Sequence, residues 1–240
     1  MNESNDKKGL LAYYAGRVPE LLREIFSRKA AGLGSMNYDA YWRAKGEMLF
    51  TGRCPVLAGL VEPGSTVLDI GCGEGVTLKF LRDQRGVRGR GLDISSEAVD
   101  RTRSKGIDAS QADASAEDFS VDGVYDHIII SEVLEHIPNP ECLLQKVKGK
   151  FKTSLLLSIP NSAYYVHRLR LLFGRFPVQW AWHPGEHLRF WSLVDFRELL
   201  QDSGYEVVSI KTHSGFLFLH RLWPNLFADS AIFEVREKCG

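Results

Sequence analysis

The stretch VLDIGCGEG, Val67 to Gly75, decides the fold. Its apolar start reads as a buried strand, and three glycines in five residues make a turn that lets backbone approach a ligand closely. VTLKFLRDQ follows with helical apolar spacing, so strand, turn and helix form one unit of a repeating pattern. Outward from it, strands VRGRGLDI, YDHIIIS and KTSLLLSIP alternate with helices SEAVDRTRSKG and PECLLQKVKG, with a short strand near IDASQAD. The unbroken HIII and LLL runs suit strands covered on both faces, which predicts an α/β fold with a doubly wound, mostly parallel sheet. Helix LVDFRELLQDSG then leads to YEVVSI, and AIFEVRE closes the sequence. No long amphipathic helix separates these last two strands, so AIFEVRE is predicted to enter antiparallel.

Ahead of this core, PELLREIFSRKA predicts a helix from Pro19, and YDAYWRAKGEMLF a second, aromatic one. Residues 1–60 are therefore expected to form a helical extension or lid, and residues 61–240 the main domain. Residues 161–190 form an aromatic, basic insertion, expected to cover the site. Within 240 residues, 30 basic and 30 acidic side chains cancel, so no global charge draws the chain to nucleic acid or to a membrane. MNESNDKK lacks the apolar core of a signal peptide, and Cys54, Cys72, Cys142 and Cys239 show no paired spacing. The expectation is a cytoplasmic protein without disulfides or stable membrane insertion.

The glycine turn matches neither common phosphate cradle. Counting from Gly71 gives Gly73 and then Val76 where a dinucleotide fingerprint needs Gly or Ala, and no Gly-Lys-Ser/Thr follows for a P-loop. Asp69 and Glu74 would repel a pyrophosphate but attract a ligand with an ammonium and a sulfonium. S-adenosylmethionine has both and no phosphate. Asp93 in GLDIS, at the end of the second strand, can accept both ribose hydroxyls, and Asp113 in QADA can take the adenine amino group. The cofactor residues expected are Asp69, Gly71, Cys72, Gly73, Asp93, Ile94, Asp113, Ala114 and Ser131, with Cys72 a small filler.

DIGCGEG, GLDIS, QADA and IISEVLEHIPNP, in this order and spacing, resemble the class I S-adenosylmethionine-dependent methyltransferases across Thr66 to Lys238. The resemblance implies a seven-stranded sheet with an antiparallel last strand, in agreement with the reading of AIFEVRE. FLRDQRGVRGRGLDI, SIPNSAYYVHRLRLLFGRFPV and HLRFWSLVDFRELLQDSGYEV are similar to MetW-like methionine-biosynthesis proteins, which implies an acyltransferase as a possible partner and a regulatory role as an alternative. SEVLEHIPNP looks more like ubiquinone-biosynthesis methyltransferases, which favours an enzyme.

The chemistry expected is methyl transfer to O or N of a small, anionic metabolite. His187 is assigned as general base with His136 second, because an imidazole with an ordinary pKa of about 6.5 suits removal of a hydroxyl proton. Glu132 and His136 are expected to share a helical face across the pocket from His187. No metal is assigned; in a variant reading, Glu132, Glu135, His136 and His187 resemble the divalent-metal site of some ubiquinone-biosynthesis and small-RNA methyltransferases. Tyr38, Tyr41, Trp42, Trp180, Trp182, Phe190 and Trp191 are lid candidates. At least one of Arg168, Arg170, Arg175 and Arg189 is expected on an anionic substrate group.

Overall fold

The computed structural model describes Pro19, Leu22, Arg23, Ile25, Phe26 and residues 36–47, 50–177 and 186–238. Trp180, Trp182 and most of the helix predicted from Pro19 lie outside the described residues. Seven strands form one sheet: β1 (Thr66–Ile70), β2 (Arg88–Asp93), β3 (Asp108–Gln111), β4 (Tyr125–Ser131), β5 (Phe151–Pro160), β6 (Tyr205–Lys211) and β7 (Ser230–Glu237). Their order is β3-β2-β1-β4-β5-β7-β6. The chain winds outward from β1 in both directions, so the crevice between β1 and β4 is the switch point where open α/β sheets bind ligands.

Period-two alternation builds the two layers of core. Leu68, Ile70, Ile128, Ile130, Leu155, Leu157 and Phe233 face one side; Val67, Ile129, Leu156 and Ile232 face the other. Ile128 to Ile130 and Leu155 to Leu157 are fully buried, as continuous apolar runs in central parallel strands require. β7 pairs antiparallel with both β5 and β6, as the lack of a long amphipathic helix before it predicted.

The helices are α1 (Tyr38–Ala44), α2 (Arg53–Leu60), α3 (Val76–Arg85), α4 (Ser96–Ser104), α5 (Pro140–Lys146), α6 (Tyr165–Leu172), α7 (Leu193–Asp202), α8 (Leu219–Leu222) and α9 (Pro224–Phe227). α3 runs between two left-handed glycines, Gly75 and Gly86, and the Gly86 amide closes the last turn on the Arg82 and Leu81 carbonyls. α7 starts at a capping box in which Ser192 and Asp195 exchange side-chain and backbone bonds. Within the insertion, α6 rests on the segment before β7: Tyr165 lies 5.3 Å from Phe216 and 6.0 Å from Phe227. Asn161 anchors its base by donating to the Ala228 carbonyl at 2.8 Å and the Asn225 carbonyl at 3.1 Å. Among the described residues, no helix is long and apolar enough to cross a membrane.

Candidate active site

A cavity of about 480 Å³ opens at the carboxyl ends of β1, β2 and β4. Asp69, Gly71, Cys72, Gly73, Asp93, Ile94, Asp113, Ala114, Ser131, His136 and His187 all line it. The turn after β1 is pinned to β2, because the Gly71 and Cys72 amides donate to the Leu92 carbonyl at 2.7 and 3.0 Å. Gly71 and Gly73 have positive φ, and a Cβ on Gly73 would stand 2.8 Å from the Trp42 ring. Both the backbone and the neighbours therefore demand glycine there. The Gly73 amide donates to Asp93 Oδ2 at 2.8 Å and the Ser95 amide to Asp93 Oδ1 at 2.9 Å, which fixes that carboxylate toward the cavity.

Asp69 is buried, and its Oδ1 has no hydrogen-bond partner among the described residues. Burial, with the Asp93 charge second, lifts its carboxyl from 3.8 to about 7, while Arg53 opposes the rise. Burial also raises Asp93, against the opposing bonds from Ser95 and Gly73. Two adjacent carboxylates with unused acceptor capacity suit a cationic ligand that carries hydroxyls, and they would repel phosphate. Asp113 does double duty: Oδ1 accepts the Ser115 amide and hydroxyl at 2.8 and 2.6 Å, so only its second oxygen is left for a ligand. Burial pushes the Cys72 thiol well above its ordinary range, which makes it an unreactive filler. A Cβ on Gly91 would come within 2.6 Å of its sulfur, so that filler fits tightly.

Glu74 lines the cavity beside Asp69, as the sequence suggested, but it is also paired. It is buried and its Oε2 lies 3.1 Å from Lys105 Nζ, so the structure spends its charge on an internal ion pair. α1 closes the cavity from the N-terminal side. Asp39 Oδ1 accepts the Ser95 hydroxyl at 2.6 Å and the Glu97 amide at 3.4 Å, latching α1 to the amino end of α4. The latch brings Tyr38, Tyr41 and Trp42 to the cavity wall. Lys45 Nζ stands 4.8 Å from both the Tyr41 and Trp42 ring centres and donates to the Tyr41 hydroxyl at 2.7 Å. Trp191 instead packs 5.4 Å from Phe196 in the core, so it is no lid.

At the other end of the cavity, Glu132 and His136 do not share a helical face. Glu132 takes a left-handed conformation (φ 56°), and only Leu134–His136 form a short 3-10 turn. The break aims Glu132 at Ser158, whose hydroxyl donates to it at 2.9 Å, and at Arg53 Nη1, 3.2 Å away. Glu135 is buried with both carboxylate oxygens lacking hydrogen-bond partners among the described residues. Burial, and then the Glu132 charge, hold its carboxyl well above the ordinary range. His136 Nδ1 donates to the Glu186 carbonyl at 2.9 Å, which leaves Nε2 as the lone-pair nitrogen, 3.8 Å from Glu135 Oε1. The His187 ring stands edge-on to it, 4.8 Å between centres. One ligand atom each from Glu135, His136 and His187 lie within 4.8 Å of one another, so these three, without Glu132, have the donors for a divalent cation.

SEVLEHIP and EHLRFWS do meet: the Leu188 and Arg189 amides donate to the Glu135 carbonyl at 2.7 and 3.1 Å. The four insertion arginines, by contrast, are not among the residues lining the cavity. Arg189 donates to the Pro138 carbonyl, Arg168 to that of Ala163, and buried Arg170 to those of Phe176 and Ile25. Arg175 lies over the Phe26 ring. Backbone carbonyls left open by an irregular segment claim most of them. The cations that do line the cavity are Lys45 and Arg53, neither of which any local sequence pattern had marked.

The fold is that of the class I methyltransferases. Magnesium protoporphyrin IX methyltransferase from Synechocystis PCC 6803 aligns with TM-score 0.58 at 19% identity, covering 97% of this chain and 100% of that one. A methyltransferase from Mesorhizobium loti aligns with TM-score 0.59 at 17% identity, covering 78% and 98%. The chain belongs to the MetW family: the family model described as methionine biosynthesis protein MetW matches residues 54–235. The bifunctional methionine biosynthesis protein MetXA/MetW of Rhodopirellula baltica is 28% identical over 158 residues, 59% of this chain. A ubiquinone biosynthesis O-methyltransferase of Paraburkholderia xenovorans is 31% identical over 95 residues, 37% of this chain. The match spans 25% of the first relative's length and 40% of the second's.

Proposed function

We propose that this protein is an enzyme that transfers a methyl group from S-adenosylmethionine to a hydroxyl or amine of a small molecule. The observation that carries this reading is the convergence on one cavity of Asp69, Asp93 and Asp113 with the Glu135, His136 and His187 cluster. Bound S-adenosylmethionine supplies an electrophilic methyl on a positively charged sulfur. Asp93 binds its ribose hydroxyls, Asp69 its cationic methionyl end and Asp113 its adenine amino group, while Ile94 and Ala114 flank the base. α1 with Trp42 excludes water. His136, held in one tautomer by the Glu186 carbonyl, presents Nε2 to take the acceptor proton, and His187 orients beside it. This exchanges the order of the two histidines expected from sequence.

An anionic acceptor is not favoured. The cavity wall carries Asp69, Glu74, Asp93, Asp113, Glu132, Glu135 and Glu186 against Lys45 and Arg53. A neutral hydroxyl or an amine suits that wall; a divalent cation on Glu135, His136 and His187 would occupy His136 Nε2, offset the wall's charge and acidify a hydroxyl in place of the imidazole base. A second reading, an S-adenosylmethionine-binding regulatory partner of an acyltransferase, is favoured by the family match and by the relative whose name joins MetXA to MetW.

Incubation with the cofactor and pooled hydroxyl and amine compounds, read by mass spectrometry, separates the two. Acceptor-dependent S-adenosylhomocysteine that disappears in His136→Ala supports the enzyme, and loss on chelation with rescue by magnesium adds the cation. Cofactor binding without any turnover would move the assignment to the regulatory partner.

A further inference from the structure

Among the described residues, the large apolar side chains more than 55% exposed are Leu172, Phe173, Phe176, Phe218, Leu222 and Trp223. All fall in two segments, the end of α6 with the turn after it, and α8 with its flanking residues. The segments adjoin, since α6 packs on Phe216 and Phe227 and Arg168 Nη2 donates to the Asn225 carbonyl at 3.5 Å. They also share the sheet edge on which the cavity opens: α6 follows β5, and α9 leads into β7, whose Ser230 pairs with Pro160. Isolated exposed apolar residues are ordinary, but such a concentration beside a functional cleft marks a contact surface.

Charge identifies what it contacts. In a chain with 30 acids and 30 bases, no Asp or Glu occurs between Glu141 and Glu186 or between Glu206 and Asp229. The surface charges within these two segments are accordingly all positive, with Arg168 and Arg221 exposed and Arg175 half-buried. Leucine and aromatic tips beside guanidinium groups, with no carboxylate among them, complement acyl chains beneath anionic headgroups.

We propose that this face docks the protein onto anionic lipid bilayers, peripherally, with the cavity edge turned toward the membrane. Leu172, Leu222 and Trp223 enter the headgroup–acyl boundary, while Arg168 and Arg221 pair with lipid phosphates.

The test is co-sedimentation of the full chain with vesicles of phosphatidylcholine alone or mixed equally with phosphatidylglycerol. Binding is expected on the mixed vesicles and weak on phosphatidylcholine. Each basic residue at an anionic surface raises partition about fivefold, so the double variant Arg168→Gln, Arg221→Gln should bind about 25-fold more weakly. Leu172→Glu with Leu222→Glu should lose binding, whereas Val124→Glu, half-exposed and outside both segments, should retain it. Circular dichroism certifies each fold, and Trp223→Ser is a milder second probe should the glutamates unfold the chain. No binding to mixed vesicles at low salt, equal binding to both kinds, or binding unaltered by the leucine or tryptophan variants would overturn the proposal. So would light scattering that shows a dimer of this chain broken by those same substitutions.

Discussion

Asp69→Asn separates what this carboxylate does for a ligand from what it costs the fold. Burial and then the Asp93 charge lift its carboxyl from 3.8 to about 7. The folded protein therefore holds a proton that the unfolded chain releases at lower pH. Below about pH 4 both states are protonated and ionisation costs nothing. The cost grows between about pH 4 and 7 and is complete above 7, where about three pKa units correspond to roughly 4 kcal/mol. Asparagine keeps the shape without the charge, so the cofactor-free variant should exceed wild type in stability above neutral pH by up to about 4 kcal/mol. That advantage should vanish as pH falls toward about 4. Affinity for S-adenosylmethionine runs the other way, because only the ionised carboxylate attracts the cationic methionyl end. Wild-type affinity should fall about tenfold per unit below pH 7, about a hundredfold at pH 5, and the variant should lack that slope. Urea unfolding across pH and calorimetric titration measure the two halves. A variant no more stable than wild type at about pH 8, or one that retains the wild-type pH slope of affinity, would refute the reasoning.

Gly73→Ala places a methyl 2.8 Å from the Trp42 ring on a left-handed backbone, so it should lose about 1–3 kcal/mol in thermal denaturation and weaken cofactor binding in the same preparation. Asp39→Ala frees α1 from the amino end of α4, and stopped-flow fluorescence should show faster cofactor release with an unchanged melting temperature. Tyr205→Phe removes the hydroxyl that donates at 2.5 Å to the buried Leu144 carbonyl; about 1–2 kcal/mol of stability should go, read by denaturation, while cofactor affinity stays.

Local pattern made the sheet legible. Runs such as Ile128 to Ile130 can be satisfied only between two covered faces, and the lack of a long amphipathic helix between the last two strands pointed to an antiparallel β7. The cofactor wall was legible because its residues sit at strand ends, where the fold itself brings them together. What escaped was whatever depends on partners distant in sequence. Arg53 reaches the site through Glu132, and Glu74, at the cavity wall, is paired with Lys105. The insertion arginines, a basic cluster in the sequence, are drawn largely to backbone carbonyls of irregular chain. Glu132 was misplaced because a left-handed residue breaks the helical turn that its spacing to His136 implied.

Calorimetric titration of S-adenosylmethionine into wild type and Asp93→Ala tests the central claim most directly. Asp93 is held toward the cavity by the Gly73 and Ser95 amides. Saturable binding to wild type is predicted, with a loss of about 1.5–3 kcal/mol for each charge-assisted bond removed in the variant. No binding to wild type, or equal affinity in Asp93→Ala, would contradict the account.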